Sequence, residues 1–141
     1  MPYTKVLIHL IWSTKNRIKS IKKDIKQKLL NHILKNAKEK EIYIESINSV
    51  EDHIHILVSL GRDQTISKVV QLIKGESSNW INKNFLLIHK FEWQDEYFAV
   101  SVSESAVDKV KEYIKNKEEH HRVKSFDEEY ELFLEKYGLK K

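Results

Sequence analysis

The chemistry-bearing part of this sequence is His53-Ile54-His55, two imidazoles separated by one residue inside an apolar run that continues to Leu60. On a β-strand, side chains two apart point to the same face. A strand here presents His53 and His55 side by side and turns Ile54 and Ile56 to the core. Such a pair can fill two positions of a divalent metal, and Asp52 adjoins it as a group able to support a ligand from behind. The competing reading is a pair of ordinary core or surface histidines. Tyr113 is the second chemical candidate. At about 100° per residue, Val107, Val110 and Ile114 centre one stripe of a helix and Tyr113 falls roughly a quarter-turn from it. At that edge a phenol is held by packing and still reaches a cleft. A phenolic oxygen can form a covalent phosphodiester when a metal polarises the phosphate. The competing reading is a half-buried aromatic of structural use.

The elements that must position these residues follow from hydrophobic period. Residues 6–12 are apolar and rich in β-branched residues apart from His9, which reads as a strand buried on both faces. Residues 13–17 form a polar loop. From Ile21 the apolar positions Ile25, Leu29, Ile33 and Ala37 recur helically, with Lys and Gln opposite. Residues 42–50 read as a strand with Ile42 and Ile44 on one face, joined to 53–60 as a hairpin by a tight turn at Glu51-Asp52. A second helix carries Ile66, Val69, Val70, Ile73, Trp80 and Ile81 on one stripe. Gly75 inside it weakens the helix, which predicts a packing or contact reason for its presence. Residues 98–102 form the last strand, and Ser105-Ala106-Val107-Asp108 resembles a capping box opening the third helix. The segment 126–139 reads as a further helix or a docked arm. The order β-α-β-β-α-β-α predicts an α+β fold: a ferredoxin-like sheet with both main helices on one face, followed by a C-terminal helix bearing Tyr113.

Composition narrows the setting. The 141 residues suit one domain over 1–141, and only three Gly and one Pro interrupt them. Lys and Arg number 25 against 21 Asp and Glu, a net charge of +4 that permits a polyanionic partner without demanding one. With no Cys, disulfides, thiolate metal sites and a Cys nucleophile are excluded, which suits a reducing cytoplasm. No apolar run is long enough to span a bilayer, and the opening Met1-Pro2-Tyr3-Thr4-Lys5 does not read as a signal peptide.

In these residues the chain resembles the IS200-like single-tyrosine transposases, including their relatives associated with repetitive extragenic palindromes. Val50-Glu51-Asp52-His53-Ile54-His55-Ile56-Leu57-Val58 resembles their metal-binding strand, and residues 9–17 resemble their first strand and loop. Ile73-Lys74-Gly75-Glu76-Ser77-Ser78-Asn79-Trp80 resembles their second-helix signature, residues 93–103 the approach to the catalytic helix, and residues 113–121 the nucleophile helix. The resemblance implies a DNA transposase in which Tyr113 attacks single-stranded DNA at hairpin-bearing ends and keeps a 5′-phosphotyrosine link. It implies His53 and His55 as ligands of Mg²⁺ or Mn²⁺, and a homodimer. Imidazole ligands by themselves would also suit Zn²⁺.

One position departs from the family. A Gln four residues after the Tyr completes the metal site there, and this chain has Lys117, whose ammonium has no lone pair to give. Lys117 shares a helical face with Tyr113 and could hold a phosphate or ease ionisation of the phenol. Glu118, His120, His121 and water are substitute ligands. Replacement, a water-completed site and loss of activity all stay open, so the alternative function is a catalytically silent hairpin-binding module of the same fold. For DNA contacts the candidates are Lys15 and Arg17 in the first loop and Lys74 on the second helix, with Arg17 the best placed. Trp12 or Trp80 could stack on an unpaired base, although Trp80 fits the core stripe.

Overall fold

The computed structural model describes residues 4–85, 87 and 89–116. Its elements are β1 (Val6–Ser13), a 3-10 turn at Lys15–Arg17, α1 (Lys23–Glu39), β2 (Tyr43–Ser49), β3 (His53–Leu60), α2 (Ile66–Asn84), β4 (Phe98–Val102), a 3-10 turn at Glu104–Ala106 and α3 (Val107–Lys115). The strands form one four-stranded sheet in the order β2-β3-β1-β4. Every neighbouring pair is antiparallel. This is the expected α+β, ferredoxin-like arrangement, with β1 and β3 in the middle.

Alternation along the central strands sorts the side chains onto two faces. Ile8, Leu10 and Trp12 of β1 and Ile54, Ile56 and Val58 of β3 pack against α1 and α2 through Ile25, Leu29, Ile33, Val69, Val70, Ile73 and Ile81. The other face holds Leu7, Leu57 and Val102, which pack against Val110 and Ile114 of α3. The two main helices therefore share one face, and the third helix covers the other. β1 is buried at every position after Val6 because both faces are covered.

Local chemistry sets the ends of the elements. The Thr65 side chain caps α2 by accepting from the Lys68 N–H at 3.2 Å. α1 closes with Ile42 N–H on the Ala37 carbonyl at 2.8 Å, which puts Glu41 at φ 59, a conformation usually left to glycine. Ile21 is buried but precedes α1, and its N–H goes to the Glu51 carbonyl at 2.9 Å. The turn at Glu51-Asp52 joins β2 and β3 with Val50 N–H on the His53 carbonyl at 3.0 Å. The β2–β3 register shifts between Ile44 and Ser46.

Two expectations change. No side chain among the described residues caps the N-terminus of α3: the Ser105 hydroxyl lies 3.2 Å from that of Ser103, and the 3-10 turn leads into the helix instead. Gly75 has no packing reason within the described residues, because a Cβ there would meet nothing within 4 Å. Trp80 is only partly buried, at the rim of the core, where its ring stacks on His32 of α1 at 4.5 Å. His32 also pairs with Glu76, so α1 and α2 are joined by a polar clamp beside their apolar seam.

Candidate active site

The face covered by α3 gathers the chemical residues. His53 and His55 on β3 both have 0% exposure, with ring centroids 5.4 Å apart. Each ring is held through Nδ1. His53 Nδ1 lies 2.8 Å from Asp52 Oδ1, and His55 Nδ1 lies 2.9 Å from His9 Nε2. His9 comes from β1, where Ile11 pairs with His55, so His9 is one step along on the same face. Sequence reading treats His9 only as an interruption of an apolar strand. The signal that could have found it is parity: once β1 lies beside β3, His9 falls on the face of His53 and His55.

Tyr113 is half-buried at the edge of α3, as its phase predicts. Its ring stands edge-on to His55 at 5.8 Å and to His9 at 6.4 Å, all within one chain. Three contacts dock the helix there. Val110 and Ile114 pack on Leu7, Leu57 and Val102. Asn48 Nδ2 donates to the Ile114 carbonyl at 2.9 Å and the Lys115 carbonyl at 3.1 Å, and these carbonyls end the helix. Lys111 pairs with Glu45 at 3.3 Å. Asn48 sits directly opposite His55 in the β2–β3 register. Lys117, Glu118, His120 and His121 lie outside the described residues.

With both Nδ1 atoms engaged, a divalent cation would take Nε2 of each ring. The donor set fits a cation at two positions. Among the described residues no group of three or more His, Cys, Asp and Glu side chains is placed to hold a metal. Water and phosphate oxygens are the ligands that suit the other positions of Mg²⁺ or Mn²⁺.

The loop after β1 adjoins this face. Ser13 pairs with His53, and the Thr14 N–H binds the Asp52 carbonyl at 2.8 Å. Asn16 and Arg17 follow with φ of 58° and 55°. An arginine in that region is strained by roughly 1–3 kcal/mol. Hydrogen bonds of the Thr14 hydroxyl to the Ile18 carbonyl at 2.7 Å and of Lys15 N–H to the Glu92 carbonyl at 2.9 Å hold the loop. Arg17 lines a groove of about 490 Å³ with Ser13, Asn16, Gln94 and Phe98. That groove shares Asn16 and Gln94 with a larger one of about 720 Å³ along α2, lined by Lys15, Gln71, Lys74, Gly75, Asn79 and Tyr97 among others. Lys15 is exposed and pairs with Glu92 at 3.4 Å. Lys74 sits on the wall of the larger groove with its ammonium donating to the carbonyls of Gln94, Asp95 and Glu96 at 2.6, 3.0 and 3.2 Å. Burial lowers its pKa below the usual lysine value, and the Asp95 carboxylate opposes that shift. Trp12 is 1% exposed against Trp93 and Lys74, which removes it as a base-stacking surface.

Fold and site together define an antiparallel ferredoxin-like protein with a histidine pair and a tyrosine on the sheet face away from its two main helices. The chain belongs to the IS200-like transposase family, whose model, described as "Transposase IS200 like", matches residues 2–117. No curated protein matches the chain. Solved structures that share its fold include two transposases. One is a protein assigned as a transposase of Deinococcus radiodurans R1, 23% identical, with a TM-score of 0.67 over 82% of this chain and 92% of that one. The other is a REP-associated tyrosine transposase bound to a REP hairpin, 17% identical, with a TM-score of 0.64 over 86% of this chain and 72% of that one.

Proposed function

We propose that this chain is a metal-dependent tyrosine DNA transposase that cleaves and rejoins single-stranded DNA at hairpin-bearing ends. The observation that carries the reading is the Tyr113 ring 5.8 Å from His55, beside the His53–His55 pair and within the same chain. His53 and His55 would hold Mg²⁺ or Mn²⁺ through Nε2, and the bound metal would supply charge to polarise and orient the scissile phosphate. Tyr113 gives up its phenolic proton to water and attacks phosphorus, the bond to the 3′ oxygen breaks, and that oxygen takes a proton from water and leaves as a hydroxyl. The new phosphotyrosine keeps the energy of the broken phosphodiester, so a second 3′-hydroxyl can reverse the step without a nucleotide cofactor. Fixing α3 to the sheet places the phenol before substrate arrives, which is the entropic part of such catalysis.

Arg17 and Lys15 are proposed to hold phosphates of the strand that enters beside Asp52, with Lys74 shaping the groove along α2. The named REP hairpin partner of one structural neighbour supports a hairpin substrate here. The cytoplasm is the proposed location, and no helix of the described residues is long and apolar enough to cross a membrane. A homodimer is part of the proposal, and among the described residues β4 stands at the edge of the sheet.

A hairpin-binding module that does not cut is the second reading. It is favoured by the two-imidazole donor set, which no third His, Cys, Asp or Glu completes among the described residues. Incubation of the protein with hairpin-bearing single strands and Mg²⁺, followed by a denaturing gel, separates the two. A covalent protein–DNA band from the wild type and none from Tyr113→Phe is the expected result. Hairpin binding without any band supports the silent module, and a band that persists in Tyr113→Phe overturns the nucleophile.

A further inference from the structure

His9 is 1% exposed on an otherwise apolar strand, and the proposed chemistry assigns it no step. A buried imidazole is costly unless its polar atoms are bonded. Its Nε2 lies 2.9 Å from His55 Nδ1. Between two imidazole nitrogens one must donate and the other accept. A histidine that binds a metal through Nε2 carries its proton on Nδ1. The direction of the bond is then fixed: His55 Nδ1–H donates and His9 Nε2 accepts.

We propose that His9 is a positioning residue that holds His55 in the tautomer and orientation required for metal binding, as Asp52 does for His53. The inference rests on the metal-dependent reading above. His9 is not placed as a third ligand, since its Nε2 faces His55 Nδ1 and no trio of ligating side chains converges among the described residues. The two supports differ in charge. Asp52 sets a carboxylate behind His53, whereas an imidazole orients His55 without adding negative charge. A cation bound there would keep more of its charge for a phosphate. The His9 ring also stands edge-on to Tyr113 at 6.4 Å, so one buried side chain borders both the metal ligand and the nucleophile.

The direct test is long-range ¹H–¹⁵N NMR of histidine-labelled, metal-free wild-type protein. The expected pattern is His55 protonated on Nδ1 and not on Nε2, with His9 Nε2 unprotonated; a His55 protonated on Nε2 overturns the proposal. Mn²⁺ affinity, read by electron paramagnetic resonance, gives a second measurement. His9→Leu removes the acceptor and should weaken Mn²⁺ binding about 10–100-fold. His9→Gln returns an acceptor at the same reach and should recover most of that loss. Metal-free hairpin affinity should stay unchanged in both. Equal Mn²⁺ affinity in wild type and His9→Leu overturns this inference alone. Wild-type protein that takes up no Mn²⁺ overturns the metal-dependent reading, and this inference with it. If His9→Leu does not fold, the wild-type tautomers and His9→Gln still decide.

Discussion

Asn48 donates its side-chain N–H to the carbonyl of Ile114 at 2.9 Å, so the edge strand β2 holds the last turn of the helix that carries Tyr113. The neighbouring bond to the Lys115 carbonyl uses the same nitrogen, and Asn48 faces His55 across the hairpin. One side chain of β2 thus holds the end of the Tyr113 helix from a position opposite His55. Asn48→Ala should cost about 1–2 kcal/mol, with faster amide exchange in α3 than in β1 and β3. Unchanged exchange over 107–115 would mean that the packing of Val110 and Ile114 and the Lys111–Glu45 pair hold the helix without Asn48.

Loss of either proposed ligand should abolish divalent-metal-dependent cleavage. Histidines in an open cleft could be truncated at little structural cost, but His53 and His55 are both 0% exposed. His53→Ala also takes away the imidazole that Asp52 faces at 2.8 Å. Each alanine variant should therefore lose stability as well, by about 1–3 kcal/mol where a buried partner is left behind. Chemical denaturation and the adduct assay, run on the same preparations, separate the two effects. Cleavage persisting at ordinary Mg²⁺ in well-folded variants would remove the ligand assignment.

Gly75→Ala should stabilise the protein. The residue lies inside α2, is exposed, and offers a new Cβ nothing within 4 Å. Glycine in a helix interior is about 0.8–1.0 kcal/mol less favourable than alanine, so thermal unfolding should shift upward by a few degrees. A lower melting temperature would mean that the helix backbone needs glycine for a reason other than space. Gly75 also lines the groove along α2. Weaker hairpin binding by the stabilised variant would identify that groove as a DNA surface.

Hairpin binding should fall steeply with salt and exceed binding to the corresponding linear duplex. Lys15→Ala and Arg17→Ala should each flatten the slope of log affinity against log salt by somewhat under one unit per phosphate contact removed. Stability should change little for Lys15, whose pair with Glu92 is exposed on both sides. Equal affinity for hairpin and duplex, or slopes unmoved by both substitutions, would relocate the DNA surface away from this loop.

Much of the site is legible in sequence because it depends on periods that act over a few residues. Alternation in a strand puts His53 and His55 on one face and Ile54 and Ile56 on the other, whatever the strand lies beside. Helical phase likewise puts Tyr113 at the rim of the stripe made by Val110 and Ile114. The apolar run of β1 announces burial on both faces, and the order of elements announces the sheet. Only the tertiary structure brings His9 to His55, because their contact depends on which strand becomes the neighbour of β3. It alone shows that Asn48 ends α3 from across the sheet, that Ser105 turns to Ser103 and leaves the start of that helix without a side-chain cap, and that Gly75 answers to no neighbour within the described residues. It also makes the Lys74 ammonium a strut for three carbonyls from 94–96, a role that basic charge on a helix does not announce. Local backbone geometry fixes where a side chain points; which group it meets is decided by packing between segments far apart in the chain.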